Sequence, residues 1–205
     1  MRMTTVLLVL ATAIAGAQSD LNPDSHARLP YLQKKDFDEA NQKTFDTLPG
    51  KGKDDVLRGP LAFAAYNPAV AKALFDLHNA AVAGSLTPHT RELAIMVACR
   101  ETNYNLEWNG HEATALKNGV DAKLLDVVRA RGSVTGVDEK DAIVVRFGRQ
   151  MLTDKKVDSA TFAKVQEIYG KKGAMDIVAV MITYADSGFY GIAVNEQPAA
   201  GKKPL

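Results

Sequence analysis

One cysteine among 205 residues excludes an intramolecular disulfide, so stability must come from a packed core. That residue, Cys99, ends the apolar run Leu93-Ala94-Ile95-Met96-Val97-Ala98 and is expected to be a buried, inert thiol. Charge of one sign is equally scarce. Lys and Arg number 25 against 24 Asp and Glu, which leaves no electrostatic case for nucleic acid or an anionic membrane as partner. Alternating strand patterns are nearly absent, and no repeat, low-complexity tract or linker divides the chain. Long apolar runs are missing as well. Thr4 to Ile14 is the one charge-free apolar stretch at the N-terminus, and it falls short of the ~20 residues a membrane span needs.

That stretch reads instead as a leader. Arg2 gives a positive start, and Ala15-Gly16-Ala17 offers the small residues of a cleavage site. The expectation is a signal peptide over 1–17, a secreted or periplasmic chain starting at Gln18, and no membrane association after cleavage. Residues 18–28 form a polar, loose arm, residues 29–198 one helical domain, and residues 199–205 a tail.

Helical signals dominate this domain. Asp36 to Leu48 is a short amphipathic helix closed by Pro49-Gly50. Asn67-Pro68 and Thr87-Pro88 each pair a capping side chain with a proline suited to the first turn, opening helices to about Ala83 and Arg100. A third helix runs from Leu106 to Asn118, stopped by Gly119. Asp121, Asp138 and Ser159 are expected N-caps for three more, with Gly132 and Gly170 ending the first and third. The last helix, about Ala174 to Asn195, is apolar nearly all round, which places it inside the domain or in a subunit interface. Gly188 and Gly191 on it would allow close approach of another backbone. The fold class is all-α.

The chemistry concentrates on the third of these helices. Glu107 and His111 stand four residues apart, one above the other on a helix face, and Tyr104 is expected on the same face. Glu92 lies nineteen residues before His111, on the preceding helix. Two acids, a phenol and an imidazole converging in a helical core are equipment for proton transfer; a solvated surface pair is the bland alternative. His111-Glu112-Ala113-Thr114-Ala115 begins like a zinc-protease helix, but Ala115 stands where the second histidine is required. No metal and no cofactor are expected. His26 and His89 are scattered, and His78 faces either a pocket or the core.

Several segments together resemble the carboxymuconolactone decarboxylase-like family. They are Arg28-Leu29-Pro30, Arg58-Gly59-Pro60, Leu86-Thr87-Pro88, Arg91-Glu92-Leu93-Ala94-Ile95, Glu107-Trp108-x-x-His111 and Asn118-Gly119. The resemblance implies an orthogonal helical bundle like alkylhydroperoxidase D, assembled as a homotrimer or homohexamer. It also implies one of two chemistries. In the peroxidase branch a Cys-x-x-Cys-x-x-x-His helix carries two thiols, but here those positions are Tyr104 and Glu107. Without them there is no sulfur to attack a peroxide and no pair to form a disulfide. The Glu-Trp-x-x-His form is similar to the decarboxylase branch.

A decarboxylase needs a donor for charge developing on a carbonyl oxygen and an acid to protonate carbon. His111 suits the second task, since its pKa lies nearest neutrality, with Glu107 supporting the imidazolium. Glu92 beside Glu107 would keep one carboxyl protonated. Tyr104, Trp108, Arg58 and Arg91 are the expected substrate contacts, the arginines because a guanidinium matches a carboxylate. The expected activity is that of a lyase on a small carboxylated lactone or keto acid. A non-catalytic binding or assembly protein on the same fold is the alternative, and a peroxiredoxin-like activity is disfavoured by the missing cysteines.

Overall fold

A computed structural model describes residues 20–59, 61–198 and 205. The leader expected over 1–17, Gln18, Ser19, Pro60 and residues 199–204 of the tail lie outside the described residues. Seven α-helices follow in order: α1 Glu39–Asp46, α2 Pro68–Val82, α3 Pro88–Glu101, α4 Asn105–Lys117, α5 Ala122–Arg129, α6 Glu139–Arg149 and α7 Ser159–Ala193. Short 3-10 turns at Lys34–Asp36 and Phe63–Tyr66 precede α1 and α2, and a π-helical turn, Gln150–Asp154, extends α6. Two isolated antiparallel bridges, Gln33 with Val56 and Lys51 with Leu57, are the extended pairing among the described residues. The protein is all-α, and none of its described helices is long and apolar enough to cross a membrane.

Local chemistry sets the helix starts. Asn67 Oδ1 accepts from the Val70 amide, Thr87 Oγ1 from Thr90, Asp121 Oδ1 from Lys123 and Asp138 Oδ1 from Lys140, each satisfying a donor the helix leaves orphaned. The cap of α7 is Asp158, accepting from the Thr161 amide at 2.7 Å, so Ser159 is the first helical residue and not the cap. Gly170 interrupts α7 with φ 70° and ψ 172°, a conformation essentially restricted to glycine. The expected stop at Gly170 is seen in this break, where two helical segments of α7 meet at a kink.

The core forms around α3. Leu93 to Cys99 are all buried, which leaves that helix no solvent face and puts it in contact with α4, α5, α6 and α7. Ile177, Val180, Met181 and Tyr184 cover it from α7. The opposite side of α7 exposes Met175, Ile182, Phe189 and Ile192. Gly188 and Gly191 face side chains of the same chain, Thr102 and Tyr104; a Cβ on Gly191 would collide with the Tyr104 ring. The N-terminal arm is not loose over its described part. Ala27 is fully buried, the Arg28 amide donates to the Val194 carbonyl, and the Gln197 amide donates to that of His26.

Candidate active site

A three-residue turn with Asn103 in the left-handed region (φ 57°) joins α3 to α4. At 1.5 Å per residue, Glu92 lies about 13 Å back from the end of α3 and His111 about 10 Å into α4. Antiparallel packing therefore brings them level. His111 Nδ1 lies 3.0 Å from Glu92 Oε2, and its Nε2 lies 3.5 Å from Glu107 Oε2. One imidazole thus stands between two carboxylates, both on buried residues.

Above them opens a cavity of about 340 Å³ lined by Arg58, Leu61, Phe75, His78, Glu107, His111, Tyr184 and Ser187. Its cation at the rim, Arg58, is held by Asp54 through two hydrogen bonds, Nη1 to Oδ1 at 3.0 Å and Nη2 to Oδ2 at 2.6 Å. Tyr184 lies against both imidazoles of the cavity. Its ring centroid is 5.0 Å from that of His111, edge to face, and 5.4 Å from that of His78.

The electrostatics separate these groups. Burial pushes the Glu107 carboxyl up to about 7; the His111 charge opposes this, and Glu196 and Asp186 reinforce it. Burial of His111 disfavours its charged form, but the hydrogen bond with Glu92 and the charges of Glu107 and Glu92 outweigh it, so the imidazole titrates above its usual range. His78 shifts the other way, lowered by burial and then by His111. Asp186, with burial as the main cause, rises to about 6. An acid near neutrality beside a supported imidazolium can exchange a proton with a bound molecule. Among the described residues no cluster of three His, Cys, Asp or Glu side chains is placed to hold a metal ion.

Three expected contacts lie elsewhere. Tyr104 is the N-cap of α4, with extended φ −99° and ψ 100°. Its side chain leaves the Glu107 face, and its hydroxyl donates to Glu196 Oε2. Trp108 follows Glu107 by one residue, about 100° around the helix, and so is buried in the core, with its indole N–H donating to Glu112 at 3.3 Å and Arg129 over its ring. Arg91 donates to the Val82 carbonyl at 3.2 Å. None of the three lines the cavity. His89, in the first turn of α3, is paired with Asp141 at 2.8 Å.

Sequence reasoning missed Tyr184, Ser187, Asp186 and Glu196, and left His78 open. Cys99 is fully buried in the core, and burial pushes its thiol well above the usual range.

Residues 68–144 match the sequence model of the carboxymuconolactone decarboxylase family. Most of the chain is similar in fold to two solved structures of the debrominase Bmp8. One, an alanine variant in complex with 2,3,4-tribromopyrrole, has 16% sequence identity and a TM-score of 0.61, with 89% of this chain and 95% of that chain covered. The other, the apo protein, has 17% identity and a TM-score of 0.62, with 87% and 94% covered. No curated protein matches the chain.

Proposed function

We propose, for a chain that carries a carboxymuconolactone decarboxylase family domain, that it is a lyase releasing carbon dioxide from a small carboxylated lactone or keto acid. The observation that carries this reading is the His111 imidazole held between two buried glutamates and lining a cavity. Arg58 at the rim suits a carboxylate, and Leu61, Phe75 and Tyr184 suit a flat, conjugated body. The debrominase Bmp8, of the same fold, is found in complex with 2,3,4-tribromopyrrole. That ligand is a small five-membered ring, comparable in size to a five-membered lactone.

In this reading the bond to the substrate carboxyl breaks and carbon dioxide leaves. The bonding pair passes into the conjugated carbonyl, and the resulting enolate takes a proton at carbon from His111. Solvent, or Glu107 when protonated, then restores the imidazolium. The test is carbon dioxide release by the full chain from a panel of unsaturated lactone acids and keto acids. Turnover that depends on His111 supports the lyase. Saturable binding of the same acids without release supports the non-catalytic binding protein instead.

Two further proposals accompany it. The leader over 1–17 supports action outside the cytoplasm, checked by locating the protein and sequencing its N-terminus. The exposed Met175, Ile182, Phe189 and Ile192 on α7 support a homotrimer or homohexamer that covers this face. Light scattering on the wild type and on Phe189→Asp checks it: the expected result is a trimer or hexamer that the substitution dissociates, and a monomeric wild type would overturn it.

A further inference from the structure

The lyase needs two things from its cavity, a proton for carbon and a donor for the oxygen that becomes negative. His111 is engaged on both ring nitrogens, by Glu92 at 3.0 Å and Glu107 at 3.5 Å. It can deliver its proton, but it cannot also hold an oxygen without giving up a carboxylate. The second imidazole of the cavity is placed differently. His78, on α2, lines the same cavity beside the Tyr184 ring, and its ring makes no hydrogen bond among the described residues.

We propose that His78 is a second catalytic residue, donating a ring N–H to the carbonyl oxygen on which negative charge develops. The inference rests on the lyase reading for the identity of that oxygen. Three features of the cavity support it. The ring is packed beside Tyr184 and faces the cavity, and no described protein group takes up its N–H, so the donor is open to a ligand oxygen. Burial and the nearby His111 charge both hold this imidazole neutral, and a neutral imidazole is a weak acid that donates a hydrogen bond without surrendering its proton. A donor fixed before reaction, in a site walled by Leu61, Phe75 and Tyr184, stabilises a developing oxyanion more than water does. The two histidines divide the work: His111 transfers its proton to carbon, while His78 keeps its own throughout and releases the oxygen when the carbonyl re-forms. Filling an apolar wall would require only the shape of the ring, which gives the test its control.

The experiment is calorimetric titration of the full chain at pH 7 with two probes. Tetronate is the anion of an enolised five-membered lactone, and γ-butyrolactone is an uncharged counterpart carrying the carbonyl. The wild type should prefer tetronate by about tenfold or more, the scale of one hydrogen bond to a charged acceptor. His78→Phe, which keeps a ring, should remove most of that preference and leave γ-butyrolactone within about twofold. His78→Gln, which keeps an N–H donor, should restore part of it, and Tyr184→Phe should retain it. A wild type without preference, equal loss of both probes in His78→Phe, or transfer of the loss to Tyr184→Phe would overturn the proposal. If His78→Phe does not fold, histidine-labelled wild type decides: tetronate must move the His78 ring nitrogen signals while the ring stays neutral, and unmoved signals overturn it. Tetronate preference without carbon dioxide release from any acid would keep His78 as an oxyanion donor and remove the lyase. Carbon dioxide release without the preference would do the reverse.

Discussion

Helix α3 carries two glutamates with buried side chains, Glu92 near its start and Glu101 at its end, and their surroundings are opposite. Glu101 faces arginines. Arg131 Nε lies 3.1 Å and Arg149 Nε 3.6 Å from its oxygens, and Thr153 donates to it at 2.7 Å. Glu92 faces an imidazole that itself faces a second acid. Arginine is always charged and holds a carboxylate in a fixed fork, whereas histidine changes charge near neutrality. Two buried acids on one helix therefore do different things. The Glu101 end ties α3 to the chain around Arg131 and α6, and no lining residue of the His111 cavity belongs to it. The Glu92 end meets a group whose charge can change, and the proposed chemistry lies there. Burial alone does not identify a working acid; the nature of its partner does.

The sharpest way to break this contrast is to remove one partner at each end. His111→Ala should lower turnover per folded molecule by about 10²–10⁴, the range for a lost general acid or base. Glu101→Gln should do the opposite. It leaves two arginines facing a neutral group at a site closed to water, and it should cost about 2 kcal/mol in denaturant unfolding, toward the low end because Arg131 keeps part of its hydration. Its turnover per folded molecule should be unchanged. If Glu101→Gln abolished turnover at full stability, the two ends would not be separate.

A smaller effect concerns pH. Glu107 in the fold titrates near 7, above its ordinary 4.5, so the stability it contributes is complete below about 4.5 and is lost as pH rises through 7. His111 is also raised above its ordinary 6.5, so its contribution, too, is present below 6.5 and fades as pH rises past it. Both act in one direction: the thermal midpoint of the wild type should fall between about pH 5 and 8. Glu107→Gln should flatten that fall, since it removes one titration and part of the support for the other. Glu196→Gln should move the Glu107 titration downward, because Glu196 is one of the charges that raise it. Calorimetry across this range checks the first point and carboxyl NMR the second. A wild-type midpoint that rises toward pH 8 would contradict the assignment.

What was legible in the sequence was local. Asn67, Thr87, Asp121 and Asp138 cap the helices they precede because a short polar side chain meets an amide two or three residues on. The meeting of Glu92 with His111 follows from two helices and a short turn. Errors arose where one residue of phase mattered. Carrying the helical phase back to Tyr104 put its phenol on the Glu107 face, but Tyr104 is the N-cap of α4, and its extended backbone turns it toward Glu196. Tyr184, Ser187 and Glu196 had no local signal at all. They reach the site only because α7 folds back over α3, more than seventy residues later in the chain. Tyr184 in particular was hidden in a helix apolar on every side.

The smallest expected effect belongs to Cys99, and the contrast between the two ends of α3 explains why. A thiol attacks peroxide only as the thiolate. Burial opposes that form here, and the Glu107 and Glu92 charges add to the opposition. This thiol therefore has no compensating cation of the kind Glu101 enjoys. It is also fully buried in the core and is not itself among the residues that line the cavity. Cys99→Ala should thus leave carbon dioxide release unchanged and cost only about 1 kcal/mol of stability for the lost sulfur contacts. The wild type mixed with peroxide and a dithiol reductant should consume neither faster than buffer does. Peroxide turnover that disappears in Cys99→Ala would require a charged thiolate in a dry core that two carboxylate charges already oppose, and would reverse the reading of the neighbouring site as imidazole-centred.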